Sequence, residues 1–181
     1  MALTAAASRN LVRNVIERCR LPLYSTFGLT HWARVLSIGR RLASVTGADQ
    51  RVVELFALFH DAGRCSEGAD EGHGLRAADL ARKLRGGLYV LPDRLFDELY
   101  LACARHSEPH VPASVTVMTC WDANRLDLAR LGITPDPAMM QTRQARDPDL
   151  IAWATTRSRA GLLPAEVCNQ WSLEDILSYS Y

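Results

Sequence analysis

Lysine is nearly missing from this chain. Lys83 is the only one in 181 residues, and arginine carries the remaining positive side-chain charge. Such a bias follows from genome composition as readily as from function. Net charge is missing too: the formal value is +1, so charge alone favours neither a nucleic-acid partner nor a membrane surface. No apolar run approaches the roughly 20 residues that span a bilayer. The five cysteines, Cys19, Cys65, Cys103, Cys120 and Cys168, include no CxxC pair. Their odd number and scattered spacing argue against a disulfide framework or a structural zinc site, and for small core residues in a reducing cytoplasm. Residues 1–14 hold no acidic side chain and carry Arg9 and Arg13, yet lack the arginine and serine density of a transit peptide. Repeats, low-complexity tracts and linkers are also lacking. Residues 1–181 are therefore expected to form one domain, long enough for a sizeable core.

What is present is helical patterning. A first helix is expected from about Ala7 to Arg20, stopped at Leu21-Pro22 because proline disfavours helix in its predecessor. Thr30 suits the N-cap of a second, running to about Val45. Asp49 caps a third from Gln50 to Ala62, in which Val52, Val53, Leu55, Phe56, Ala57, Leu58 and Phe59 leave almost no polar face. A helix apolar nearly all round lies at the centre of a fold. Gly63 occupies the position of a left-handed C-terminal cap. Further helices are expected over Gly74–Leu84, from Pro92 to about Arg105, and over Ser114–Leu131. Weaker patterns cover Asp147–Arg159 and the end after Ser172. A short strand over Leu88–Leu91 is the sole β signal, and no sheet is expected. The fold class is all-α, a compact multi-helix bundle. Trp32, Trp121, Trp153 and Trp171 read as packing anchors.

Histidine is scarce: His31, His60, His73, His106 and His110 are the full set. Their placement carries the chemistry. His31 opens a helix, and His60 with Asp61 closes the apolar one. Adjacent helical residues point about 100° apart, but both can converge on an ion just beyond the last turn. A carboxylate there is otherwise costly, because burial penalises an unpaired charge and the helix dipole is negative at that end. Asp122 lies on a helix that is otherwise apolar on its side. Imidazole with carboxylate suits Mn, Fe, Co, Ni or Zn, and Mg where waters complete the shell.

His31, then FHDAGR holding His60 and Asp61, then Asp122 in CWDANRLD, resembles the H…HD…D signature of the HD superfamily of metal-dependent phosphohydrolases. The resemblance spans residues 31–131, with 132–181 as a C-terminal helical extension. It implies an all-helical fold with a metal site among helix ends, and His31, His60, Asp61 and Asp122 as ligands. His73 and His106 fall in the interval where two-metal members, HD-GYP-like phosphodiesterases among them, place further histidines. They would hold a second ion, with Asp61 bridging. His110 competes with His106 for that role, but lies between two prolines. The GYP triplet is absent, so specificity for cyclic dinucleotides does not carry over.

The bland readings are a capped helix end for His60-Asp61, surface positions for His31 and His73, and a buried Asp122 bonded to Arg125. Arg64, Arg76 and Arg125 lie near the ligands, and guanidinium matches phosphate geometry. The acidic loop of Glu67, Asp70 and Glu71 reads as a solvated turn that could instead supply a general acid, Glu71 being the candidate. The catalytic set is then Asp61, Arg64, Glu71 and Arg125. The expected function is hydrolysis of a phosphomonoester or phosphodiester of a nucleotide-like small molecule by metal-activated water, with one or two divalent ions. The expected partner is that small substrate, with no membrane and no strong nucleic-acid signal; self-association stays open. Two alternatives use the same residues. One is a di-iron oxygenase cleaving a C–C or C–P bond, with Tyr24 near the iron; the other is an inactive helical binding module.

Overall fold

The computed structural model describes residues 6–108 and 111–178. Among them there are nine α-helices and no strand. The expected strand reduces to one isolated backbone pairing of Arg85 with Tyr89. No described helix is long and apolar enough to cross a membrane.

The centre is α3 (Gln50–Phe59), capped as expected by Asp49, whose carboxylate accepts the N–H groups of Arg51 and Val52. Every α3 residue from Val52 to Phe59 is buried. Burying each large apolar side chain contributes about 1.5–3 kcal/mol, so the sequence of α3 fixes its place. Around it, α2 (Leu29–Thr46) packs on both α3 and α6 (Val115–Leu126), and α5 (Asp93–Ala104) packs on α3, on α6 and on α4 (His73–Leu84). Trp121 of α6 is fully buried and donates its indole N–H to Ala102 of α5.

The remaining helices cover the flanks of this core. α1 (Arg9–Ile16) is shorter than expected, with Ser8 as its N-cap. α7 (Pro148–Arg159) is capped by Asp147 and packs beside the 3-10 turn Leu128–Leu131. α8 (Ala165–Trp171) has no counterpart in the sequence reading; α9 (Leu173–Ser178) follows Ser172, as expected. Val167 and Trp171 of α8 join the same core as α3. Trp32 is buried as well, whereas Trp153 is partly exposed between the guanidinium groups of Arg41 and Arg157. The cysteines are all free; Cys103 and Cys120 are buried core residues, but Cys65 is exposed.

Two glycines set the geometry at the polar end of the core. Gly63 is not the expected left-handed cap, since its φ is not positive. A Cβ there would lie 2.6 Å from both the Ala77 nitrogen and the His73 oxygen, so glycine lets α4 press against the chain leaving α3. At Gly74 a Cβ would lie 2.6 Å from the Cys103 oxygen and 2.9 Å from that of Ala104. Its absence seats the start of α4 on the end of α5.

Candidate metal centre

Five side chains from four helix ends and starts meet beyond the last turn of α3. His31 comes from the first turn of α2, His60 and Asp61 from the end of α3, His73 from the start of α4, and His106 from just past α5. All five are buried. The Asp61 carboxylate stands between two imidazole pairs. Its Oδ2 is 3.5 Å from Nε2 of His31 and 3.6 Å from Nε2 of His60. Its Oδ1 is 3.4 Å from Nε2 of both His73 and His106. Within the pairs, the Nε2 atoms of His31 and His60 are 3.0 Å apart, and those of His73 and His106 are 2.9 Å apart.

The other ring nitrogens decide what these contacts mean. Nδ1 of His60 faces the carbonyls of Phe56 and Ala57. Nδ1 of His73 faces the Asp70 carbonyl at 2.6 Å, and Nδ1 of His106 the Cys103 carbonyl at 2.8 Å. Nδ1 of His31 lies 2.7 Å from Asp127 Oδ2. A carbonyl or carboxylate only accepts, so each Nδ1 carries the proton and donates it. Burial pushes the pKa of His31 down to about 4, and drives those of His60 and His73 below the usual value. Neutral rings protonated on Nδ1 have only a lone pair on Nε2. Two such pairs, aimed at each other and at a carboxylate, repel unless a cation lies between them.

The spacing fits that cation. Transition-metal to ligand distances near 2.1 Å place neighbouring donors roughly 3.0–3.4 Å apart, close to the separations observed. Two groups could each hold an ion, His31 with His60 and Asp61, and Asp61 with His73 and His106.

Asp122 is not brought into either group. It is fully buried, but its oxygens accept the backbone N–H groups of Gln141 and Thr142 at 2.8 and 2.7 Å and the Thr142 hydroxyl at 2.7 Å. Burial raises its pKa, and these hydrogen bonds offset the rise only in part. The Arg125 guanidinium is more distant, at 3.8 Å. Asp122 thus clasps the 140–142 segment onto α6. His110 lies outside the described residues.

A cleft of about 550 Å³ opens beside Asp61 and His106. Arg64, Arg125 and Arg130 line it, with Phe27 and Asn124. Arg64 donates to Asp61 Oδ1 at 3.0 Å, and its guanidinium lies 3.8 Å from the centre of the Phe27 ring. Arg130 flanks the same ring at 5.4 Å. One Nη1 of Arg125 is buried without a hydrogen-bond partner. Leu128, Leu131 and Met139 supply an apolar wall. Glu71 is exposed and does not line the cleft; Tyr24 is 65% exposed and does not line it either. Of the acidic loop, Asp70 has the structural part: it accepts the Cys65 N–H, pairs with Arg76, and orients His73 through its carbonyl.

The sequence reading missed Asn124, Asp127 and Arg130. A signal was there: these polar residues recur three apart along one stripe of α6 and the turn after it.

An all-helical bundle with buried imidazoles converging on an aspartate defines a class of helical proteins whose clustered donors could hold metal. Within it, a family model described as HD domain matches residues 28–152, more than half the chain, and the protein belongs to that family. No curated protein and no solved structure matches it.

Proposed function

We propose that this protein is a metal-dependent phosphohydrolase acting on a small phosphate ester, through two divalent cations that share Asp61. The observation that carries the reading is the position of Asp61, with one oxygen facing the His31–His60 pair and the other facing the His73–His106 pair. Membership of a family composed mostly of metal-dependent phosphohydrolases supports the same conclusion. Two cations close together lower the pKa of water to supply a nucleophile and stabilise charge on phosphoryl oxygens.

The chain's own residues divide the rest of the work. His31, His60, Asp61, His73 and His106 form the cage. Arg64 and Arg130 offer guanidinium N–H groups toward the cleft, where charge gathers on the equatorial oxygens of a transferring phosphoryl group. Phe27, whose ring lies 3.8 Å from the Arg64 guanidinium, contributes apolar surface to the same cleft. With Leu128, Leu131 and Met139 it suits the organic part of a nucleotide-like substrate. Glu71 is exposed and does not line the cleft, whereas Glu108 does, so Glu108 is the better-placed candidate for general acid.

The test is phosphate release from nucleoside monophosphates and p-nitrophenyl phosphate, and ring opening of cyclic nucleotides to monophosphates, with Mn, Fe, Co, Ni or Zn added, under strict anaerobiosis and in air. Metal-dependent turnover that Asp61→Ala abolishes together with bound metal is expected. Turnover only in the presence of oxygen and iron would replace this reading with the oxygenase chemistry available to the same cage. Release that persists without metal would end it.

A further inference from the structure

The first group, His31, His60 and Asp61, is one donor short of the four that transition metals commonly take from protein or solvent. Helix α6 passes beside it, and the face α6 presents there is not that of Asp122. Asp127, just past the helix, reaches Nδ1 of His31. Asn124 lies three residues earlier, on the same stripe. Asp122 is two residues from Asn124, about 200° around the helix, and looks the other way, onto Gln141 and Thr142. Asn124 lines the cleft with Asp61 and His106, and its side-chain oxygen is buried with no hydrogen-bond partner. A buried carbonyl oxygen without a donor costs about 1–3 kcal/mol. A cation beside it removes that penalty.

We infer that Asn124, through its side-chain oxygen, is the ligand that α6 gives to the first cation, so that this centre is completed by a neutral amide and not by a second carboxylate. The inference rests on the metal-centre reading above and goes beyond it. A carboxamide coordinates through oxygen without contributing charge. Asp61 is then the sole carboxylate for two dications among the described cage residues. Affinity of oxygen-rich sites is tuned by the charge count of their ligands, so this centre should hold its first cation more weakly than the same cage with aspartate.

The experiment is calorimetric titration of Mn²⁺ into metal-free full-length protein, comparing wild type with Asn124→Asp, Asn124→Leu and Asp122→Asn. Thermal melts of the metal-free variants check folding. The leucine variant should bind Mn²⁺ at least about tenfold more weakly, the loss expected for disturbing a metal site, and the aspartate variant should bind more tightly than wild type. Asp122→Asn should stay near the wild-type affinity. Folded Asn124 variants that bind like wild type would overturn the inference and leave the metal centre standing. Loss of Mn²⁺ in Asp122→Asn alone would also overturn it. A wild-type protein that takes up no cation would remove both readings together.

Discussion

Asp127 Oδ2 lies 2.7 Å from Nδ1 of His31, and the same carboxylate takes two hydrogen bonds from Arg34, at 2.7 and 3.1 Å. The imidazole is thereby fixed in the tautomer that turns its Nε2 lone pair toward His60 and Asp61. Burial opposes the charge on Asp127, but His31 and Arg34 outweigh it and hold the carboxyl at about 2.

Asp127→Ala therefore removes an orienting partner and strands a buried guanidinium. Breaking a buried ion pair from one side costs about 3–5 kcal/mol. A fall of that size is expected in denaturant unfolding of the metal-free protein. Asp127→Asn keeps the shape and one acceptor. Its main loss should be in metal affinity, about 10–100-fold, as for other partners that orient a ligand. Equal effects of the two variants on both measurements would mean that Asp127 only fills space.

Gly74→Ala tests how the second imidazole pair is assembled. A Cβ at this position meets the Cys103 and Ala104 carbonyl oxygens at 2.6 and 2.9 Å. Neither is the flexible end of a side chain, so α4 must lift from α5. His73 then parts from His106, while His31, His60 and Asp61 stay in place. Elemental analysis should find about one equivalent of metal lost and the other kept, given the two-cation reading. Loss of both, or of neither, would contradict this division of the site.

Much of this organisation was legible in the sequence, for physical reasons. The apolar run of α3 could only be central, and a His-Asp doublet at its end needed a partner for its charge. The Asp49 cap and the proline and glycine stops marked most helix boundaries to within a few residues. Other features depended on contacts that no local pattern encodes. Asp122 and Asn124 are close in sequence, and only the docking of α6 decides that Asn124 lines the cleft with Asp61 while Asp122 holds Gln141 and Thr142. Gly63 looked like a cap because it follows a helix, whereas its role is close approach to α4. The short helix α8 is anchored by Val167 and Trp171 in the distant core, which overrides its weak periodicity. Arg130 was hidden because the expected helix ran to Leu131, whereas α6 ends at Leu126 and Arg130 sits in the 3-10 turn that follows.

Asp49 gives a stability prediction with a definite pH sign. It caps α3, accepting the Arg51 N–H at 2.9 Å and the Val52 N–H at 3.4 Å. The Arg51 guanidinium and these N–H groups lower its pKa below 3.8, against a smaller opposing effect of partial burial. A carboxyl depressed in the folded state stabilises above its unfolded pKa, and that contribution fades as pH falls through the folded value. Asp49→Ala should cost about 0.5–2 kcal/mol near neutral pH. Below the ordinary aspartate range the difference should shrink toward zero. Unfolding curves at pH 7 and in acid measure both. A gap that widens on acidification would contradict the assignment of the cap.

The charge balance of the centre yields the last prediction. With Asn124 as the neutral donor, two dications would face one shared carboxylate, and Asp127 is already engaged by Arg34. Arg64, Arg125 and Arg130 add positive charge along the cleft. Desolvated cations gathered this way repel each other strongly at the low effective dielectric of a protein interior. An anion entering the cleft relieves that repulsion, so anion and metal must strengthen one another's binding by the same factor. Inorganic phosphate should therefore tighten Mn²⁺ binding when both titrations are run at matched free-metal activity, and phosphate should bind the metal-free protein more weakly than the loaded one. Sulfate should act in the same direction, and Arg64→Ala should reduce the effect. If phosphate leaves Mn²⁺ affinity unchanged, the cleft does not seat a phosphoryl group beside the metals, and the substrate class would have to be sought elsewhere.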